Sequence, residues 1–107
     1  MDDKALIARG AVVLVNVFTP KAGRTDDFIR AQTAEYIRLA EQVEGALGNR
    51  LLRALDGARV VNIAYFASVE LYEAWRASAL FADHLDRIRD LVEHVDPALY
   101  SPVYESA

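Results

Sequence analysis

The chain has 107 residues, of which 53% are hydrophobic and 26% are charged, and its formal net charge is −4. This length accommodates one domain with a single hydrophobic core. The negative charge and the lack of a Lys/Arg run argue against a nucleic-acid partner. The absence of cysteine excludes disulfides, thiolate metal sites and a cysteine nucleophile.

The first residues do not have the features of a targeting segment. Asp2 and Asp3 stand where a signal peptide would carry positive charge, and no apolar stretch is long enough to cross a bilayer. We therefore expect a cytoplasmic protein without a membrane partner. Residues 1–10 are predicted to form an N-terminal leader, and residues 11–107 a single domain.

The first half of the chain predicts a strand followed by a helix. Residues 11–18 are β-branched and apolar on both alternating faces, which is typical of a strand buried on both sides. After a turn at residues 20–23, Thr25 is predicted to cap a helix that Gly45 ends. The apolar stripe of that helix is predicted to comprise Ile29, Tyr36, Ile37, Ala40 and Val43.

The second half predicts a hairpin, two helices and a final strand. Residues 47–55 and 59–67 form two antiparallel strands around the hairpin signal Asp56-Gly57. Ser68 and Ser78 cap the two helices, the second of which continues to Asp96-Pro97. The last strand is predicted at residues 99–105, where Pro102 restricts it to an edge or an exchanged position.

The order β-α-β-β-α-β predicts the α+β class and a ferredoxin-like sandwich. The helices cover only one face of a four-stranded sheet, so the other face, with Val61, Ile63 and Tyr65, has no cover in this prediction. Such an apolar face is unstable in water. We therefore expect a homodimer in which two such sheets pack together as a dimeric α+β barrel.

Three stretches of the chain resemble the antibiotic biosynthesis monooxygenase family. Residues 13–23 are similar to its opening strand and Pro/Lys/Gly turn, and residues 50–57 to its hairpin. Residues 61–72 are similar to its third strand, which ends in an aromatic and a polar residue before a Ser and a helix with an aromatic. The resemblance covers residues 11–104 and implies a dimeric α+β barrel.

The resemblance also implies an activity and a site. The best-understood oxygenases of this family convert polycyclic anthrone-type phenols into quinones with molecular oxygen, without metal or flavin. By position, the resemblance implies catalytic roles for Asn62, Tyr72 and Arg87. Phe66 stands where the family usually has tryptophan, which retains an aromatic wall but removes an N–H donor.

The residues themselves predict a pocket for a small aromatic substrate. Strict alternation places Asn62, Ala64 and Phe66 on one face of their strand, and Asn16 is expected to meet Asn62 there. Buried amides need partners, which a ligand oxygen would provide. The predicted substrate-binding residues are Asn16, Tyr36, Phe66, Trp75, Phe81 and His84.

Other interpretations remain open. Tyr72 is equally compatible with core packing, which is the favoured interpretation of Trp75. For Arg87 a surface pair with Asp83 is favoured. Asn16 and His84 also resemble residues of haem-degrading monooxygenases of the same fold, so haem is an alternative cofactor and haem degradation an alternative function. A non-enzymatic dimer that binds a small ligand is the third hypothesis. No His/Glu cluster predicts a metal site.

Overall fold

The computed structural model describes residues 5–7 and 9–106. Four strands and four helical segments follow one another in this part of the chain. They are β1 (Val12–Pro20), α1 (Thr25–Leu39), β2 (Ala46–Arg53), β3 (Val60–Phe66), α2 (Val69–Arg76), α3 (Ala79–Ile88), a short 3-10 helix (Arg89–Leu91) and β4 (Val92–Tyr100).

The strands form one antiparallel sheet in the order β2-β3-β1-β4. Its two central strands are β1 and β3, in which Leu14 lies opposite Ala64 and Asn16 lies opposite Asn62. The predicted ferredoxin-like α+β fold is therefore confirmed. The register also confirms that the two asparagines are cross-strand neighbours, which places their side chains on the same face.

The core lies between the sheet and the helices, in two clusters. One comprises Phe18, Phe28, Val60 and Ile88, and the other comprises Leu14, Ala64, Phe66 and Tyr72. The first cluster joins β1, α1, β3 and α3, and the second joins the two central strands to α2. Alternation along β3 buries Val60, Asn62, Ala64 and Phe66 on the face that carries this core.

The buried face of α1 differs from the predicted apolar stripe. The helix buries Phe28, Gln32, Glu35 and Leu39, whose spacing of four, three and four residues follows one side of an α-helix. Ile37, predicted to be buried, is 74% exposed. The prediction was wrong because it selected apolar residues, whereas two of the four buried positions are polar.

The last helix ends earlier than predicted, and the last strand begins earlier. Helix α3 ends at Ile88 and β4 starts at Val92, so Asp96-Pro97 lies within a strand and does not terminate a helix. Pro97 lies opposite Asn16 at the sheet edge, where a residue without an N–H is tolerated. The last strand, predicted at residues 99–105, is thus shifted towards the N-terminus, and residues 101–106 lie beyond the end of β4.

Two of the three predicted helix caps are confirmed. Ser68 accepts a hydrogen bond from the Leu71 N–H, and Ser78 accepts one from the Phe81 N–H, each at 3.1 Å. Thr25 is not the cap of α1, because the cap position is Arg24, and the Thr25 hydroxyl donates instead to the Gly57 carbonyl at 3.0 Å. This bond ties the start of α1 to the hairpin.

The described part of the predicted leader contacts the C-terminal segment. The backbone N–H groups of Leu6 and Ile7 donate to the two carboxylate oxygens of Glu105 at 3.0 and 2.8 Å, and Leu6 is buried. Leader residues 1–4 and 8 lie outside the described residues. Within residues 5–7 and 9–106, no helix is both long and apolar enough to cross a membrane.

The second face of the sheet carries apolar side chains that alternate with the core residues. We call it the open sheet face and define it by Val13, Val15, Val17, Val61, Ile63 and Tyr65. Each of these side chains is only partly buried. Isolated apolar residues on a protein surface are ordinary, but a contiguous patch on a central pair of strands indicates an interaction surface.

Candidate active site

A cavity of about 380 Å³ lies on the helix-covered side of the sheet. It is bounded by the central strands, by β2, by the C-terminal end of α1 with the turn that follows, and by α2. Its lining residues are Leu14, Tyr36, Leu39, Ala40, Glu41, Val43, Ala46, Gly48, Asn49, Asn62, Ala64, Tyr65, Phe66 and Trp75. This volume and this mainly apolar lining with few polar groups are typical of a small-molecule site.

The predicted site residues divide between the cavity and its surroundings. The residues that line the cavity are Asn62, Tyr36, Phe66 and Trp75. The residues that do not line it are Asn16, Tyr72, Phe81, His84 and Arg87. Three members of the second group, Tyr72, Phe81 and His84, nevertheless have ring contacts with lining residues.

Asn62 provides a buried polar group in the wall of the cavity. The residue is 8% exposed, and its Oδ1 atom has no hydrogen-bond partner among the described residues. The Oδ1 atom of Asn16, on the neighbouring strand, is in the same situation. A buried polar atom without a partner costs about 1–3 kcal/mol. Oδ1 is an acceptor, so a bound ligand with a hydroxyl group would satisfy it, and the Nδ2 group of the same amide is a donor.

A second polar group in the cavity is the hydroxyl of Tyr36. Its oxygen accepts a hydrogen bond from Gln32 Nε2 at 2.8 Å, and the side chain of Asn49 lines the same cavity. Burial raises the pKa of Tyr36 to about 12, against the opposing effect of the Gln32 and Asn49 side chains. The hydroxyl is therefore neutral at physiological pH.

Aromatic rings form the flat part of the lining. Phe66 contacts Tyr72 edge-to-face, with ring centroids 5.2 Å apart, and Trp75 contacts Phe81 in the same way at the same distance. Such contacts add about 0.5–1.5 kcal/mol to the effect of burial. Tyr72, which is in the core cluster, and Phe81 therefore support the two lining rings from behind. Burial raises the pKa of Tyr72, so its hydroxyl is also neutral.

His84 and Arg87 belong to a cluster of charged residues between α1 and α3. We call this the Glu35 cluster; it comprises Glu35, Arg38, Asp83, His84 and Arg87. Arg38 donates to both Glu35 oxygens at 2.6 and 2.9 Å, and His84 Nδ1 lies 3.1 Å from Glu35 Oε1. The hydrogen bond from Arg38, followed by that from His84, lowers the pKa of Glu35 to about 2 although burial acts in the opposite direction.

The position of Arg87 agrees with the surface-pair interpretation. Its side chain is half exposed, and its Nε atom lies 3.1 Å from Asp83 and 4.0 Å from Glu35. His84 is buried and lies 6.2 Å from Trp75 between ring centroids, so it contacts a lining residue without lining the cavity itself. In the described part of the chain, no group of three or more His, Asp or Glu side chains could hold a metal ion.

The sequence analysis missed Asn49 and Gln32. Asn49 pairs with Ala64 across the β2–β3 ladder, which puts it on the same face as Asn62. A detectable signal was present, because Asn49 lies between Leu47 and Leu51 on one face of an alternating strand next to a clear hairpin turn. Gln32 gave no such signal, since a polar residue on a helix is normally exposed.

An antiparallel α+β sandwich with an aromatic-lined cavity between sheet and helices defines a class of small-ligand proteins rather than one reaction. The family model described as antibiotic biosynthesis monooxygenase matches residues 11–94. The chain therefore belongs to the antibiotic biosynthesis monooxygenase family. This membership supports a general monooxygenase function.

Solved structures share the fold at low sequence identity. SnoaB, a cofactor-independent oxygenase from Streptomyces nogalater, is 22% identical, with 90% of this chain and 96% of that chain covered and a TM-score of 0.78. Rv0793 from Mycobacterium tuberculosis is 16% identical, with 91% and 99% covered and a TM-score of 0.75. SO0527 from Shewanella oneidensis is 21% identical, with 86% and 90% covered and a TM-score of 0.72. No curated protein matches this sequence significantly.

Proposed function

We propose that the protein is a cofactor-independent monooxygenase that oxidises an anthrone- or polyketide-like aromatic molecule with molecular oxygen. The observation that carries this proposal is the buried amide of Asn62, which lines an aromatic cavity and whose unpartnered Oδ1 atom is an acceptor for a phenolic hydroxyl of such a substrate. Family membership supports the general reaction class. The name of SnoaB as a cofactor-independent oxygenase supports chemistry that uses only substrate and oxygen.

The reaction balances without a further reductant. In an anthrone the reacting carbon carries two hydrogens, and oxidation converts it into a carbonyl carbon. One atom of O₂ becomes the carbonyl oxygen, and the other leaves as water with both hydrogens. The four electrons that reduce O₂ come from that carbon. The substrate first loses a proton to become an enolate, which then passes an electron to oxygen.

In this proposal the protein stabilises the enolate and excludes water. The Asn62 Nδ2 group donates to the substrate oxygen on which negative charge develops, while Oδ1 accepts from a substrate hydroxyl. A preorganised donor is most effective in a dry, apolar site. Phe66 and Trp75 hold the planar ring system, and Tyr36 closes the cavity from α1. Tyr72 and Phe81 act through the rings that they support.

The alternative of haem degradation gains no observation in its favour. An axial histidine must present a free ring nitrogen to the haem iron in the binding cavity. His84 is not among the lining residues, so neither of its ring nitrogens is presented to the cavity. A non-enzymatic ligand-binding module predicts the same cavity as an oxygenase, so the distinction between them depends on oxygen consumption.

Oxygen uptake tests the proposal. Protein treated with chelator and freed of small molecules is mixed with a hydroxyanthrone in air-saturated buffer without added flavin or metal. We expect one O₂ consumed per molecule of substrate, with quinone as the product, at a rate well above autoxidation without protein. Uptake that requires added flavin or metal, or uptake no faster than autoxidation, would contradict the proposal.

A further inference from the structure

The environment of Tyr36 distinguishes it from a simple aromatic wall. Its ring lines the cavity, and the side-chain amide of Gln32, one helical turn earlier on α1, donates to its hydroxyl at 2.8 Å, while Asn49 on β2 lines the cavity with it. Gln32 is 2% exposed and does not line the cavity. A buried amide that is directed at a tyrosine hydroxyl fixes the position of that hydroxyl.

The direction of the hydrogen bonds leaves the Tyr36 proton available. Gln32 Nε2 is a donor, so the Tyr36 oxygen acts as the acceptor in the 2.8 Å bond. A hydroxyl that accepts from an amide still has its own O–H to donate. On the cavity side, a ligand oxygen is the natural acceptor.

Asn62 and Tyr36 act on different parts of the cavity. Asn49 lies opposite Ala64, two residues from Asn62 on the same face, so Asn49 and Asn62 are diagonal neighbours. The Cα atoms of such neighbours are typically about 7–8 Å apart. Tyr36 belongs to α1 and Asn62 to β3, so the two groups reach the cavity from different walls. Two oxygens on one planar ring system would meet both groups.

We propose that the Tyr36 hydroxyl, positioned by Gln32 and Asn49, donates a hydrogen bond to a second oxygen of the substrate, which therefore carries at least two oxygen functions on one planar ring system. This inference rests on the proposed function and specifies its substrate class. The oxygen that becomes anionic binds Asn62, and the second oxygen binds Tyr36. The high pKa of Tyr36 suits this role, because a neutral phenol donates whereas a phenolate would repel the enolate.

Ligand binding measured without oxygen tests the inference. Trp75 is the single tryptophan of the chain and lines the cavity, so its fluorescence reports occupancy by an aromatic ligand. Anthrone, with one oxygen, and 1,8-dihydroxyanthrone, with three, are titrated anaerobically into wild type and Tyr36→Phe. Wild type should bind the dihydroxy probe more tightly. Tyr36→Phe should reduce that preference about three- to tenfold, the range of one neutral hydrogen bond.

A matched control and a second variant complete the design. Tyr104→Phe removes a hydroxyl from a side chain that is 81% exposed, and it should leave the preference unchanged. Tyr36→Phe leaves the buried Gln32 amide without its acceptor, so its folding is checked by circular dichroism. Asn49→Ala, on an exposed residue of an edge strand, removes one positioning amide and should also reduce the preference.

The outcomes separate this inference from the proposed function. The role of Tyr36 would be overturned if Tyr36→Phe lost affinity equally for both probes. It would also be overturned by an unchanged preference in folded Tyr36→Phe or Asn49→Ala, or by the absence of a preference in wild type. If the preference depends on Tyr36 but the protein consumes no oxygen, the donor role stands and the oxygenase proposal fails. Failure of both probes to bind would contradict both proposals.

Discussion

Asn62 is the residue on which the account depends most. A buried amide with an unpartnered oxygen lowers stability, and proteins retain such groups mainly where a ligand completes them. The cavity beside Asn62 offers space for that ligand. Because an enolate carries its charge on oxygen, the amide interacts more strongly with the transition state than with the neutral substrate.

Replacement of Asn62 by alanine should therefore reduce turnover more than it raises KM. Removal of one donor to a developing oxyanion typically lowers kcat about 100- to 1000-fold. Asn62→Asp should be at least as damaging, since it places an anion beside an anionic intermediate in nearly the same shape. The measurement is steady-state oxygen uptake with the hydroxyanthrone, together with the Tm of each variant.

A structural role for Asn62 would give the opposite pattern. Both variants would lower the Tm, while activity per folded molecule stayed near that of wild type. Gln42, an exposed amide beyond the end of α1, provides the control. Gln42→Ala removes an amide of the same chemistry away from the cavity lining and should change neither kcat nor KM.

At the residue scale, strand periodicity made part of the site predictable. Alternation placed Asn62 and Phe66 on one face, and central pairing of the first and third strands placed Asn16 beside Asn62. The helix-derived residues were harder to predict. The positions of Gln32 and Asn49 relative to Tyr36 depend on the rotation of α1 against the sheet. A hydrophobicity pattern could not predict that rotation, because α1 buries polar as well as apolar residues.

At the scale of elements, the Glu35 cluster explains why α1 buries a polar face. Glu35 and His84 are 49 positions apart in sequence, and their contact joins α1 to α3. Such a pair has no local sequence signature, so the predicted stripe followed the apolar residues instead. The boundary between α3 and β4 was missed for a related reason: Leu91, Val92 and Val95 fit a helical period as well as a strand, and the sheet edge tolerates Pro97.

Glu35→Gln should reduce the free energy of unfolding at neutral pH. The carboxylate accepts charged hydrogen bonds from Arg38, and loss of such a bond in a buried site costs about 1–3 kcal/mol. Because the pKa of Glu35 in the folded state, about 2, is below its usual value of 4.5, ionisation stabilises the fold above about pH 4.5. That contribution is lost as the pH falls towards 2.

Urea unfolding of wild type and Glu35→Gln between pH 7 and pH 2 measures this effect. The difference in the free energy of unfolding should be largest above pH 5 and should shrink as the pH falls. Asp27→Asn is the matched control, because Asp27 also pairs with arginines three residues away on α1 but is more exposed. Its effect should be clearly smaller than that of Glu35→Gln, because solvent screens an exposed ion pair. Equal effects for the two variants would show that the Glu35 cluster contributes no more than a surface pair.

At the scale of the whole molecule, the open sheet face indicates self-association. Val61, Ile63 and Tyr65 lie on central strands opposite the helices and are only partly buried within one chain. We expect wild type to sediment as a homodimer at micromolar concentration, with two open sheet faces packed together. Packing of a second copy on this face would complete the dimeric α+β barrel that the sequence predicts.

Ile63→Glu tests this surface, because it places a charge in the middle of the open sheet face. The variant should aggregate or unfold, since burial of an unpaired carboxylate is costly and exposure of the rest of the face is also unfavourable. Leu55→Glu, at a fully exposed hairpin position, should leave the dimer intact. A folded wild-type monomer, or a soluble, active Ile63→Glu monomer, would contradict the prediction.

The most direct test of the central claim is the fate of the oxygen atoms. Metal- and flavin-free protein is supplied with a hydroxyanthrone and ¹⁸O₂ in ordinary water, and the quinone is analysed by mass spectrometry. A cofactor-independent monooxygenase predicts one ¹⁸O atom in the new carbonyl group of each product molecule, and the second in water. A quinone without ¹⁸O, or no quinone beyond the amount formed without protein, would contradict the account.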